Sequence, residues 1–232
     1  MRTIKPGFYS LALGFVNVFL IDTVTDGLIL IDAGNPGDDK KILKAIEELG
    51  KVPQDLKHIL VTHGHPDHAG ALAALKKATG AKIWAHAADV ELIERGDAFR
   101  PAFDATPGLL NAALFHQFIA PASPRFPPCE VDYTIEDEQL LPLGEGIRVL
   151  TTPGHSEGHV SFLWEHHGGV LFVGDAAINV MTLKPMIAYE DYEKGLKSLK
   201  KLASRVFDVA CFGHGRPIKH RATQHFARKF GR

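Results

Sequence analysis

The stretch THGHPDHAG, residues Thr62–Gly70, places His63, His65, Asp67 and His68 within six consecutive positions. It follows HILVT (His58–Thr62), a short apolar, β-branched run that reads as a buried strand. In an extended segment, His63 and His65 point to the same side, because side chains alternate across a strand. Asp67 and His68 open the next helix and can turn toward the same centre. Such a loop cannot complete a coordination shell alone, so its partners have to come from elsewhere in the chain.

Three later segments offer them. His155 lies in TPGHSEGH directly after the strand-like IRVLTT, Asp175 ends VLFVGD, and His214 follows VACF in the turn GHGRP. A single histidine or aspartate at a strand end is ordinarily a hydrogen-bonded structural residue or a turn residue. Here every one of these segments pairs the polar residue with Gly or Pro, as a tightly oriented ligand requires. Imidazole and carboxylate donors without thiolate suit zinc, iron or manganese. His159 stands four residues after His155, but Pro153, Gly154 and Gly158 argue for a loop, so it reads as a support for the ligands. His166 and His167 precede Gly168-Gly169 and read as an exposed hairpin turn. His58, His86, His116, His220 and His225 have no partner pattern.

The remaining composition is ordinary. Of 232 residues, 45% are hydrophobic and 23% charged, with a net charge of −1. That balance offers no broad basic field for nucleic acid or an anionic membrane. The two cysteines, Cys129 and Cys211, form no CxxC pair, so a disulfide framework is not expected and a reducing cytoplasm is. The apolar run Phe8–Thr23 is interrupted by Gly14 and Asn17 and leads into another strand-like run, unlike a cleaved signal. No segment reaches the roughly 18 apolar residues of a membrane span.

Val16–Ile21 and Leu28–Asp32 flank Thr25-Asp26-Gly27 and predict a hairpin. Helices are predicted over Asp38–Leu49, Ala69–Thr79, Ala87–Arg95, Tyr189–Ser204 and Ala222–Phe230. Further strands are predicted over Lys82–Ala85, Gln139–Leu143, Ile147–Thr151, Val160–Trp164, Val170–Val173 and Val209–Phe212. Between Gly96 and Glu130 the periodicity breaks in an apolar insert carrying six prolines. The expected architecture is a layered α/β protein, one domain over residues 1–232. No GxGxxG motif signals a dinucleotide site, and no GxSxG a serine hydrolase.

At this point the chain resembles a known family. HGHPDH matches the H-x-H-x-D-H signature of the metallo-β-lactamase superfamily, and His155, Asp175 and His214 match its remaining metal motifs in order. The resemblance runs from LILIDAG to GHGRP and implies a four-layer αββα sandwich with a dinuclear site at one edge. It further implies that His63, His65 and His155 hold one metal, and Asp67, His68 and His214 the other, with Asp175 bridging. Asp32 of LIDAG takes the role of orienting a ligand or loop, and His159 supports the site. The implied cofactors are two divalent metal ions, zinc first, with iron or manganese as alternatives.

A dinuclear centre acidifies water to a pKa of ~7 and polarises a carbonyl, which makes hydrolysis the expected reaction, with Asp67 orienting the nucleophile. The retained Asp175 is similar to the glyoxalase II-like pattern, and the implied substrate is an ester, thioester or lactone. The tyrosine found three residues after the bridging aspartate in acyl-homoserine lactonases is replaced by Ile178. The alternatives are an iron-dependent persulfide dioxygenase, a β-lactamase-like hydrolase or a phosphodiesterase. The expected partner is a small-molecule substrate, with no nucleic acid and no membrane. The insert is expected either to form a lid whose Phe115, His116 and Phe118 join Ile178 in the substrate pocket, or to form a homodimer contact.

Overall fold

Strict alternation of apolar side chains in the central strands determines the layering. In Val16–Asp22, Val18 and Leu20 point one way while Phe19 and Ile21 point the other, and all four are buried. In Leu28–Ile31 the pairs Leu28, Leu30 and Ile29, Ile31 divide in the same manner. Strands buried on both faces must be covered on both faces. The computed structural model of the chain, which describes residues 1–231, supplies that cover.

The first sheet has seven strands, in the order Arg2–Lys5, Phe8–Leu13, Val16–Asp22, Leu28–Ile31, Leu56–Leu60, Lys82–His86 and Tyr133–Ile135. Its first four strands are antiparallel and the rest parallel. The second sheet has five, in the order Val209–Phe212, Val170–Gly174, Val160–Trp164, Ile147–Thr151 and Leu140–Leu141. One core lies between the first sheet and the helices Asp39–Glu48, Leu72–Thr79 and Ala87–Arg95. A second lies between the two sheets, where Phe8 meets Phe172 edge-on with ring centroids 5.4 Å apart and Phe19 stands 5.5 Å from Phe172. A third joins the second sheet to Tyr192–Ala203 and Ala222–Phe230. Three cores between four layers define an αββα sandwich. Truncating Phe172, at the junction of both sheets, would cost about 3–5 kcal/mol.

Several sequence expectations need correction. Phe8–Thr23 is two antiparallel strands joined at Gly14-Phe15, and the first strand, Arg2–Lys5, carries too few apolar residues to have been recognised. The strand before the histidine cluster is Leu56–Leu60, which leaves Thr62 in the loop. The following helix is broken into Pro66–Ala69 and Leu72–Thr79. Tyr189 belongs to the short strand Ala188–Tyr189, and the helix begins at Tyr192 because Asp191 caps it, accepting the Lys194 N–H at 2.9 Å. His166 is half-buried, stacked on Trp164 at 4.9 Å.

Candidate metal centre

The histidine loops meet at one end of the sandwich, beyond the strand ends. His63, His65 and His155 bring donor atoms within 4.8 Å of one another, as do His63, His68 and Asp175, and likewise Asp67, His68 and His214. His155 Nε2 lies 3.0 Å from His65 Nδ1, and Asp175 Oδ2 lies 3.7 Å from His155 Nε2 and 3.2 Å from His214 Nε2. Asp175 therefore stands between the triad His63, His65, His155 and the triad Asp67, His68, His214. Asp67 Oδ2 is 3.2 Å from His214 Nε2, and its side chain is about a third exposed.

Outer hydrogen bonds fix which ring nitrogen faces inward. His63 Nδ1 bonds Thr62 Oγ1 at 3.0 Å, His155 Nδ1 the Ala188 carbonyl at 2.8 Å, and His214 Nδ1 the Phe15 carbonyl at 2.8 Å. His68 Nδ1 bonds Asp32 Oδ2 at 2.9 Å. A carbonyl or carboxylate partner requires N–H at Nδ1, so in the neutral ring the Nε2 lone pair points into the cluster. Asp32 also accepts the Thr62 N–H at 2.8 Å and the Thr62 hydroxyl, which in turn leaves that hydroxyl oxygen to accept from His63. His159 is different: its Nε2 accepts the Asp175 N–H at 2.9 Å and its Nδ1 bonds Thr152 Oγ1 at 2.8 Å. With both nitrogens engaged it orients Asp175 and offers no free donor.

The loops are seated by backbone contacts. Ser198 Oγ holds the Pro153 carbonyl at 2.7 Å, and the Asp191 N–H holds that of Gly154 at 2.9 Å. This approach requires Gly154, where a Cβ would lie 2.3 Å from the backbone nitrogen of Gly195. Across the site, Asn17 Nδ2 donates to the carbonyls of Phe212 at 3.1 Å and Gly215 at 2.8 Å, binding the first hairpin to the turn that carries His214.

Electrostatically the cluster divides in two. Burial, reinforced by neighbouring imidazoles, drives His63 well below the ordinary histidine value. Burial likewise lowers His65 to about 4, and His155 and His159 to about 3. On the other side burial opposes charge on His68, but Asp175, Asp67 and Asp32 outweigh it and hold the pKa well above 6.5. Burial is likewise outweighed at His214, which Asp175 and Asp67 lift to about 10. Against the same burial, His68 and His214 hold Asp67 and Asp175 well below the usual carboxylate range. Protons held on one side and lone pairs on the other fit displacement by cations.

Three buried atoms test that fit. His63 Nε2, His68 Nε2 and Asp175 Oδ1 have no hydrogen-bond partner. Buried polar groups are nearly always satisfied, and orphans converging on one point match a cation bound between them. The donor set, all nitrogen and oxygen, suits a divalent ion.

The insert reaches this centre through a residue that its irregular sequence did not single out. Phe103 meets the rings of His65 and His155 edge-on at 5.0 and 5.3 Å. Asp104–Ala105 just after it pairs with Ala188–Tyr189, and Phe115 is buried behind it at 6.1 Å. The helix Leu109–Leu114 widens into a π-helical turn over Phe115–Ile119, which turns Phe115 inward. Phe118 is therefore 64% exposed and His116 faces solvent. Ile178 is buried against Met186 and Tyr189. No helix among the described residues is long and apolar enough to cross a membrane.

Comparison with known proteins agrees with this geometry. The chain is 27% identical to the probable metallo-hydrolase YflN of Bacillus subtilis, over 91% of this chain and 85% of that protein. It is 31% identical to the hydroxyacylglutathione hydrolase GloC of Haemophilus influenzae, over 80% and 79% of the two chains. The subclass B3 metallo-β-lactamase BJP-1 of Bradyrhizobium japonicum superposes with a TM-score of 0.72 at 25% identity, covering 96% of this chain and 86% of that one. The model of the metallo-β-lactamase superfamily matches residues 11–214. A match running from the first hairpin to the last of the converging histidines leaves a single assignment: this chain belongs to the metallo-β-lactamase superfamily.

Proposed function

We propose that the protein is a dinuclear, metal-dependent hydrolase of a small ester, thioester or lactone. The observation that carries this reading is the convergence of buried, partnerless donors on His63, His68 and Asp175. Similarity to hydroxyacylglutathione hydrolase GloC favours a thioester within that class.

His63, His65 and His155 would hold one ion, and Asp67, His68 and His214 the second, with Asp175 shared. When bound, divalent ions supply Lewis acidity toward a carbonyl and a water acidified into the neutral range. Asp67, the open carboxylate, would accept a hydrogen bond from the attacking water and so orient it toward the substrate. Asp175, held by His159 at its backbone N–H, sets the separation of the two triads. Phe103 screens His65 and His155 from bulk water and offers an apolar wall to an acyl chain.

Elemental analysis of the purified protein should find about two divalent ions per chain, zinc foremost. A panel of S-acylglutathione, lactone, aryl ester, phosphodiester and β-lactam substrates should show turnover concentrated in the first three. One iron per chain with thiol-dependent oxygen uptake would overturn the hydrolase reading in favour of a dioxygenase.

A further inference from the structure

Asp89 belongs to no ligand set, yet it is 1% exposed in the first turn of the helix Ala87–Arg95. Its Oδ2 accepts the N–H of Gly64, the residue between His63 and His65, at 2.8 Å. The same oxygen faces the hydroxyl of Ser156, next to His155, at 3.5 Å. The loop after His155 closes on this carboxylate so tightly that a Cβ on Gly158 would lie 2.3 Å from Asp89 Oδ1.

Arg100, from the start of the insert, completes the connection. Its Nη2 donates to Asp89 Oδ1 at 2.9 Å, and its Nε lies 2.8 Å from Glu190 Oε1 as an ion pair without hydrogen-bond alignment. Glu190 Oε2 accepts the Glu157 N–H at 2.8 Å, and the Glu190 N–H donates to the His155 carbonyl at 3.2 Å. A continuous chain of charged contacts thus links the loop of His63 and His65 to the loop of His155. Three residues beyond Arg100, Phe103 lies against two of those three imidazoles. Buried ion pairs are weak contributors to stability compared with apolar residues of the same volume, and their attested value is in fixing geometry.

We propose that Asp89, Arg100 and Glu190 form a positioning clamp that sets the spacing of His63, His65 and His155 and so the affinity of that triad for a divalent ion. The proposal rests on the metal-centre reading above. None of the three residues donates to the ion itself; they act through the loops that carry the ligands.

The test is a cobalt(II) titration of the chelator-treated full chain, followed by visible absorption and by competition with a chelator of known affinity. Wild type should take two ions. Arg100→Ala should weaken one of them by about 10- to 100-fold, the usual range for groups that support ligands, and leave the other within about threefold of wild type by the same measure. Excess cobalt should restore most of kcat. Arg100→Lys should recover part of the lost affinity, since an ammonium can meet one carboxylate well but lacks the planar fork that spans two. Glu190→Gln, which keeps volume and the Glu157 contact, gives the same ordering if Arg100→Ala does not fold. Equal weakening of both ions, or no weakening of either, would overturn the clamp while wild-type stoichiometry keeps the metal centre. A wild type that takes no cobalt would remove both.

Discussion

Replacing Asp32 by Asn isolates one carboxylate's influence on His68. The backbone of Asp32 lies at φ 61°, a left-handed conformation that Asn adopts readily, so the exchange changes charge and donor pattern with little change of shape. Asp32 accepts from three buried donors: the Thr62 N–H, the Thr62 hydroxyl and His68 Nδ1. An amide has one accepting oxygen. With that oxygen toward Thr62, its NH2 group faces the N–H of His68. His68 then either keeps an opposed pair of donors or moves its proton to Nε2, where it occupies the lone pair facing Asp175 and Asp67. A buried unsatisfied group of this kind costs about 1–3 kcal/mol, and 1.4 kcal/mol is tenfold in affinity. The ion held by Asp67, His68 and His214 should therefore bind about 5- to 150-fold more weakly, with a smaller effect on the other, which senses Asp32 only through Thr62. A loss of about 2 kcal/mol would lower Tm of the metal-free protein by about 4–8 °C at this chain length. Cobalt titration and a thermal melt measure the two effects. Wild-type affinity for both ions in the Asn variant would refute the assignment of Asp32 as the residue that fixes His68.

The metal-free protein should be most stable near pH 6.5. Below that value an unfolded chain protonates histidines that the fold keeps neutral, His155 and His159 down to about 3, so stability falls with acid by about 1.4 kcal/mol per pH unit for each. Above it the raised pKa values of His68 and His214 contribute stability that is lost as pH rises through about 10 for His214. The depressed carboxylates Asp67 and Asp175 add a further loss only below 3.8. Melts in chelator across this range that are flat or monotonic would contradict the charge division. Gly213→Ala should remove metal binding at both triads, because its Cβ would stand 2.2 Å from Asp175 Oδ1 and 2.7 Å from His68 Cε1; retained two-ion stoichiometry by elemental analysis would show that the turn yields to the added methyl and does not fix the two side chains. Such overpacking also typically costs about 1–3 kcal/mol. Phe103→Ala should shift the preference among acyl chain lengths more than Phe118→Ala, with metal content intact; the reverse order in kcat/KM would place the apolar wall elsewhere.

The metal-binding candidates were legible because each sits where an apolar run stops at Gly or Pro, a local signal. His63 to His68 follow Leu56–Leu60, Asp175 follows Val170–Gly174, and His214 follows Val209–Phe212. A layered α/β architecture was legible from the alternation of strand-like and helical runs, whereas the four-layer αββα order came from the family resemblance. Phe103 and Arg100 were not. Their partners His155, Asp89 and Glu190 lie in other elements, and a proline-rich stretch has no periodicity to show which side faces inward. Asp89 stands in the first turn of its helix, where an acidic residue is expected for the helix dipole alone. The start of the helix Tyr192–Ala203 could have been read from Asp191, a favoured cap, but the apolar spacing continued back to Tyr189.

The Asn17 side chain, bonded to carbonyls at Phe212 and Gly215, has a kinetic consequence. The turn bearing His214 is held by residues almost the whole chain away, and so is the orientation of that imidazole through the Phe15 carbonyl. Contacts of such sequence separation are made after local ones, because loop closure has to precede any gain from them. The donor set is then complete only when the last strand has docked beside the first hairpin. An ion that binds only the finished arrangement stabilises the native state without assisting the climb toward it. Added divalent ion should leave the refolding rate unchanged and slow unfolding, so that its grip on the protein is expressed as native-state lifetime.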